Sequence, residues 1–324
     1  MASAASDQGT EVLNELLLRS GKRIAVPGQC QRKRSTLTSG LDCLPCELLE
    51  TVLLSWSSAE DLCRIACTCK RLQAIADDVA SWQRLFKDRW APSALTPTAA
   101  KLAGSWKALY RSKASLEKVS DGWQKASPFE SQAAIHEMVE QATLQECRKA
   151  AVVFLLDGSG SMVAEDFSMI AAFVSDAAEA ISKAAASTQI GVCQFSNEVK
   201  VEYALQNPEK DGLQKSLDSM EMIGGGTNIA GAIQKAGQLL KDAGPDCTRT
   251  VVIMSDGRIN PYQGIEAVQM ASQLVDEQPA VSIFGIGVGR GVERAELENV
   301  INACGPGVAD LRYLALCTNE HAPW

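Results

Sequence analysis

The sequence predicts a small all-α domain followed by a doubly wound, mainly parallel α/β sheet, and three observations carry that expectation. Apolar residues recur at helical spacing through residues 41–115, whereas from 149 onward short apolar runs alternate with helix-length amphipathic stretches. Alternation of that kind gives a parallel sheet covered by helices on both faces. Tryptophan usage changes at the same seam, five of the six lying before residue 124. At 324 residues the chain is long enough for two domains, each with its own core.

Residues 1–40 hold one short helical pattern, EVLNELLLR (11–19), and then a Gly-, Pro-, Ser- and Lys/Arg-rich stretch, so a flexible leader is expected. Its Lys22, Arg23, Arg32, Lys33 and Arg34 read as a solvated arm, with a nuclear import signal as the alternative. Within 41–115, LPCELLETVLLSW and DLCRIACTCKRLQAIA are helical, APSALTPTAA (91–100) is a loop and SWKALYRSK (105–113) is a further helix. Residues 116–148 read as a linker with one helix, SPFESQAAIHEMVEQATLQECRK. Ser127 caps it, Pro128 takes the first helical position and Glu130 completes a capping box. Strands follow at 149–156, 189–195, 249–254, 280–286 and 309–315, with EVKVEYAL (198–205) beside the second. Helices are expected at 164–186, 228–243, 263–277 and 292–303, which makes 149–316 the sheet domain and 317–324 a tail.

Bulk chemistry excludes several function classes. A net charge of −8 argues against nucleic acid as the main partner. No apolar run approaches the roughly 20 residues of a membrane span, and the N-terminus lacks a signal-peptide pattern. The 11 cysteines are odd in number and scattered, which favours reduced thiols in the cytoplasm, the nucleus or both. Cys43-x-x-Cys46 with Cys63, Cys67 and Cys69 raises zinc, but Cys63 and Cys67 fall in an apolar helical run, so small buried thiols are expected.

In an open α/β sheet, ligands bind beyond the carboxyl ends of the strands. Three loops there carry matching chemistry: DGSGSM (157–162), GGGTN (224–228) and MSDG (254–257). They offer Asp157, Ser159, Ser161, Thr227 and Asp256, hard oxygen donors with no His or Cys, suited to Mg²⁺ or Mn²⁺ rather than Zn²⁺. Alternate spacing lets Asp157, Ser159 and Ser161 point one way, while Gly158 and Gly160 are expected to permit a tight turn. A serine nucleophile would need a base, and the two histidines, His136 and His321, lie on the linker helix and in the last four residues. DGSG lacks the Lys-Ser/Thr ending of a phosphate-binding P-loop. GIGVGR (285–290) lacks full dinucleotide-binding spacing and reads as a turn passing close to the site.

Asp-x-Ser-x-Ser, a later Thr and a still later Asp in this alternation resemble the von Willebrand factor type A domain, over roughly residues 146–316. The resemblance implies a metal-ion-dependent adhesion site. The two serines would ligate directly, Asp157 and Asp256 mostly through water, and Thr227 would join or leave the ligand set. The ion would remain electrophilic toward a partner's Asp or Glu. In that family a helix normally follows the last strand, and in integrin relatives its movement couples ligation to shape change. Here DLRYLAL (310–316) is followed by CTNEHAPW, so no such relay is expected. The helix at 128–146 is expected to cover the groove through Ala133, Ile135, Met138, Val139 and Ala142.

Residues 44–86 resemble an F-box, on Leu44-Pro45, Glu47-Leu48-Leu49, Val52-Leu53, Asp61-Leu62, Cys69-Lys70, and Trp82 with Leu85. Thr68 and Ser81 stand where the family usually has an apolar residue and a leucine. The resemblance implies docking on the Skp1 adaptor of a cullin-RING ubiquitin ligase through Leu44, Pro45, Leu48, Val52, Leu53, Leu62, Cys69, Trp82 and Leu85. The leading expectation is a non-enzymatic substrate receptor of such a ligase whose Mg²⁺ site binds an acidic residue of a target protein. The alternative is a metal-dependent scaffold outside any ligase, and a metal-assisted hydrolase is a more distant third.

Overall fold

The computed structural model describes residues 48–49, 58–119, 124–143, 149–185, 187–244, 247–259, 261–278, 281–289 and 291–318. The expected leader, Cys43, Cys46, His321 and the docking residues Leu44, Pro45, Val52 and Leu53 lie outside them. The chain divides into two compact units, Met1–Ala91 and Pro92–Trp324. No helix among the described residues is long and apolar enough to cross a membrane.

The first unit contains α1 (Ala59–Ala66), α2 (Lys70–Ala76) and α3 (Val79–Arg89). Each begins on a side-chain cap that satisfies an otherwise orphaned backbone N–H. Ser58 and Asp61 form a reciprocal capping box on α1. Cys69 Sγ accepts from Leu72 N on α2, and Asp78 accepts from Ser81 N on α3. Leu49, Leu62, Leu72, Ile75, Ala76, Trp82, Phe86 and Trp90 are buried. Trp82 also donates its indole N–H to the Ala76 carbonyl at 2.8 Å.

Two expectations change here. Leu62 and Trp82, grouped by sequence with the adaptor-facing residues, are 0% and 1% exposed and build the unit's own core. Leu85 is half-buried, while Leu48, at 54% exposed, and Cys69 face solvent. Cys63, Cys67 and Cys69 are exposed thiols rather than buried ones, because α1 turns Leu62 inward and leaves the Cys63–Cys67 ridge outside.

The second unit begins with α4 (Thr96–Leu102), α5 (Trp106–Val119), β1 (Gln124–Lys125) and α6 (Pro128–Thr143). The segment read as a loop at 91–100 is thus helical from Thr96, where Pro97 presets the first turn and Thr96 Oγ1 accepts from Ser93 N. The boundary drawn at 115 falls inside α5. The stretch read as a linker is built into the sheet unit instead. Lys113 on α5 pairs with Glu130 on α6 at 2.6 Å, both side chains nearly buried. Glu130 also accepts from Ser127 N and donates its own N–H to Ser127 Oγ, the expected capping box.

The remaining elements are β2 (Lys149–Asp157), α7 (Ala164–Ala184), β3 (Ser187–Phe195), β4 (Val199–Gln206), α8 (Lys210–Asp218) and α9 (Ile229–Lys241). After them come β5 (Cys247–Ser255), α10 (Pro261–Glu277), β6 (Val281–Val288), α11 (Arg294–Ile301), α12 (Ala309–Arg312) and β7 (Tyr313–Thr318). The strand order is β1-β7-β6-β5-β2-β3-β4. Only the flanking β1 and β4 run antiparallel to their neighbours. The architecture is the doubly wound, mainly parallel sheet that the β–α alternation predicts.

Alternate residues of β2 sort its two faces. Ala151, Val153 and Leu155 join a core with α9, α10 and α11, while Val152, Phe154 and Leu156 are buried on the opposite face. α7 packs there beside α6, which lies on β2, β5 and β7. Ala133, Ala134, Met138 and Ala142 of α6 are buried, and Ile135 and Val139 are half-buried. Thr248 Oγ1 donates to the Ala142 carbonyl and pins the helix end. The apolar face of α6 expected to cover a groove is thus packed on β2, β5 and β7 rather than left in solvent. The last strand starts later than expected: Asn302 Oδ1 accepts from Ala309 N, so Ala309–Arg312 coils before β7 begins. Helix α8 was not anticipated, its short pattern KDGLQKSLD carrying too few apolar positions.

Candidate metal centre

Asp157 closes β2, which lies between β3 and β5 near the middle of the sheet, so its side chain emerges where neighbouring loops meet. Backbone hydrogen bonds hold those loops together. Gly158 donates to the Phe195 carbonyl at 2.8 Å, Gly224 to the Gly158 carbonyl at 2.7 Å and Gly160 to the Gly225 carbonyl at 2.9 Å. DGSGSM and GGGTN are thus docked on one another, and buried Thr227 stands two residues past the last of these contacts.

Ser159 Oγ and Ser161 Oγ are 3.0 Å apart, as the alternate spacing requires if both are to face one point. Asp157 Oδ1 accepts from Ser159 N at 2.8 Å, and Oδ2 accepts from Ser255 Oγ at 2.5 Å. Asp256, also buried, accepts from Arg258 N at 3.0 Å and lies 3.9 Å from the Arg258 guanidinium. Asp157, Ser159, Thr227 and Asp256 are buried, and Ser161 is exposed at the mouth.

The glycines have a different role from the one expected. Neither Gly158 nor Gly160 has a positive φ. A Cβ on Gly158 would instead lie 2.7 Å from Gln194 Cδ, so the residue is small to let Gln194 pass. Gly257 does need its freedom: φ is +69°, and a Cβ would meet the Glu293 carbonyl oxygen at 2.7 Å. Gly257→Ala should destabilise the protein by about 1–3 kcal/mol, read from urea midpoints at constant m-value. An unchanged midpoint would show that the 255–258 loop tolerates the strain. At Gly289, in GIGVGR, a Cβ would touch Asp166 Oδ2 at 3.4 Å and Asp256 Cβ at 3.5 Å, so this turn does run against the site.

Four participants stand outside the five donors expected from the sequence. Ser255 bridges Asp157 and the Gly257 N–H. Gln194 accepts from Ile223 N and donates to the Glu221 carbonyl. Asn197 accepts from Gly226 N. Asp166, buried in the first turn of α7, lies against the Gly289 turn that also borders Asp256. Ser255 was readable from its place beside Asp256 in MSDG; the other three have no local signal.

Burial pushes the Asp157 carboxyl up from 3.8 to about 6, with the Asp256 charge adding to it and hydrogen bonds from Ser159 and Ser255 opposing it. A buried carboxylate held against that penalty is stabilised by a cation in contact with it. Among the described residues no three His, Cys, Asp or Glu side chains cluster to hold an ion. Two carboxylates and three hydroxyls fit a hard divalent cation in type and in charge.

Family models match this chain twice: the von Willebrand factor type A domain at residues 151–315 and F-box-like at residues 41–88. The mouse (Mus musculus) collagen alpha-4(VI) chain is 29% identical over 171 residues, 51% of this chain and 7% of that one. Chicken (Gallus gallus) matrilin-1 is 28% identical over 160 residues, 46% of this chain and 31% of that one. The chain thus spans less than a third of the length of either relative. Among solved structures, mussel byssus proximal thread matrix protein 1 with a zinc-occupied MIDAS motif aligns at 23% identity and TM-score 0.42, over 52% of this chain and 43% of that one. Manganese-loaded Plasmodium vivax TRAP protein aligns at 19% identity and TM-score 0.42, over 52% of this chain and 69% of that one. One family model spans half of the sequence and coincides with the sheet that carries the oxygen cluster, so the chain belongs to the von Willebrand factor type A domain family, with an F-box-like domain preceding it.

Proposed function

We propose that this chain is the substrate-recognition subunit of an SCF-type ubiquitin ligase. The F-box-like domain docks on a Skp1-like adaptor, and through it on cullin. The A-type domain captures a target protein through Mg²⁺, or Mn²⁺, held by Asp157, Ser159, Ser161, Thr227 and Asp256. The observation that carries the reading is the oxygen cluster at the sheet's carboxyl edge, on the same chain as an F-box-like domain. The bound ion supplies an electrophilic point for a partner's carboxylate. Asp157 and Asp256 balance its charge, and the serine hydroxyls hold it without quenching it. Ser255 and the Ser159 N–H fix the orientation of the Asp157 carboxylate.

The chain itself catalyses nothing on this reading. Ser159 and Ser161 hydrogen-bond one another, and His136 stands on α6 3.5 Å from Glu140. The protein works in the cytoplasm, the nucleus or both, which the free cysteines among the described residues support.

Co-purification tests the ligase. The wild-type chain should retain a Skp1-like adaptor together with cullin, and Leu48→Asp should lose both by roughly tenfold or more while folding normally, since Leu48 is already exposed. An adaptor without cullin would make the protein a scaffold outside a ligase. Retention by Leu48→Asp would move the docking face elsewhere.

A further inference from the structure

Cys63, Cys67 and Cys69 stand in solvent on the first unit, and their settings differ. Cys63 and Cys67 are four residues apart. Cys67 closes α1 with helical backbone, φ −79° and ψ −6°, so the helical spacing carries through to it and both thiols share one ridge. Cys69 has left the helix. Thr68 N and Thr68 Oγ1 both donate to the Ile65 carbonyl, at 3.0 and 2.7 Å, and beyond that turn Cys69 is extended, φ −155° and ψ 163°. Its Sγ accepts from Leu72 N at 3.5 Å and caps α2. Cys193 and Cys247 differ again, packed in the core of the sheet unit.

Helical spacing decides what the Cys63–Cys67 pair can do. Side chains four apart hold their Cβ atoms about 5–6 Å from each other. A disulfide needs about 3.5–4.5 Å, so α1 keeps these thiols from closing on one another. A cation between them asks for less, since two metal–thiolate bonds of about 2.3 Å span the gap between the sulfurs without moving the backbone. Among the described residues no third His, Cys, Asp or Glu joins them to hold an ion. Structural zinc takes four ligands, whereas a soft monovalent ion with a filled d shell is served by two thiolates. We propose that Cys63 and Cys67 form a two-thiolate site for such a cation, Cu(I). Each thiol gives up its proton as its S–Cu bond forms, and no electron changes hands. The loaded pair carries one net negative charge, which the exposed ridge leaves in water rather than burying. Its chemistry is separate from that of the oxygen cluster. Hydroxyls and carboxylates suit a hard divalent ion and thiolates a soft one, so Mg²⁺ and Cu(I) do not compete for one set of donors.

Alkylation footprinting tests the pair. The full chain, reduced and anaerobic, is treated with N-ethylmaleimide with and without Cu(I) buffered by bicinchoninate, and labelling of each cysteine is read by peptide mass spectrometry. Cu(I) should slow labelling of Cys63 and Cys67 together by roughly tenfold or more and leave Cys69 unchanged. In Cys63→Ser, Cys67 should label as fast with Cu(I) as without it, and Cys67→Ser should free Cys63 in the same way. Both side chains already meet solvent, so both variants should keep the wild-type fold, checked by circular dichroism. Unprotected Cys63 and Cys67 in the wild type would overturn the site. So would protection of one thiol that survives loss of the other, or equal protection of Cys69.

Discussion

Asp157→Asn should weaken Mg²⁺ binding by about 100-fold or more while leaving the metal-free protein at least as stable as the wild type at neutral pH. The first half follows from charge. The residue supplies one of the two carboxylates at the site and makes direct hydrogen bonds to Ser159 N and Ser255 Oγ, so its amide keeps the shape and loses the anion. The second half follows from burial. Asp157 is fully buried and its carboxyl is pushed up to about 6, so at neutral pH it is mostly ionised against a desolvation penalty that a neutral amide avoids. Thermal melts with EDTA and with Mg²⁺ read both. In the wild type, Mg²⁺ at about 100 times its Kd should add roughly 2.7 kcal/mol. At the same Mg²⁺ concentration the variant should gain no more than about 0.4 kcal/mol. A shift of wild-type size in Asp157→Asn would mean that the ion is held elsewhere.

The residues in that experiment were legible because a metal loop packs its donors into a few consecutive positions. Asp157, Ser159 and Ser161 alternate, and the fold turns their hydroxyls to 3.0 Å simply by continuing the pattern. Gln194 could not be read in the same way. It acts on Ile223, 29 residues away, through a backbone N–H, and any sequence can present a backbone N–H. Asp166 is hidden for a related reason, since an acid in a helix's first turn is ordinary, and its nearness to the Gly289 turn at the site's edge is a long-range contact. In the first unit, periodicity identifies which residues are apolar but not what they face. Leu62 and Trp82 share a motif with Leu48, yet the first two close the core and the third meets solvent. The domain seam was displaced for want of a long-range signal. Lys113 reaches Glu130, and Ala126 N reaches the Leu316 carbonyl, so a stretch that reads as a linker is held to the far end of the sheet.

The second large expectation is that metal abolishes a pH dependence of stability. Asp157 binds its proton more tightly folded, with a value of about 6, than at its ordinary 3.8. Between those values the native state carries more protons than the unfolded chain, so stability must fall as pH rises through the window. The contribution is fully present below about 3.8, is lost through about 6 and amounts to about 3 kcal/mol from this group. With Mg²⁺ saturating, that loss disappears. The ion binds only the ionised carboxylate, so in excess it keeps native Asp157 ionised through the window, as the unfolded chain already is, and the two states no longer differ in bound protons there. Urea unfolding across about pH 4 to 7 should therefore give a falling contribution with EDTA and a nearly flat one with Mg²⁺. Other carboxylates titrate nearby, so the informative quantity is the difference between wild type and Asp157→Asn at each pH, which removes their common contribution. If that difference falls as steeply with metal as without it, Asp157 is not part of the ion's site, and the buried carboxylate is a structural acid held by Ser255 and the Ser159 N–H.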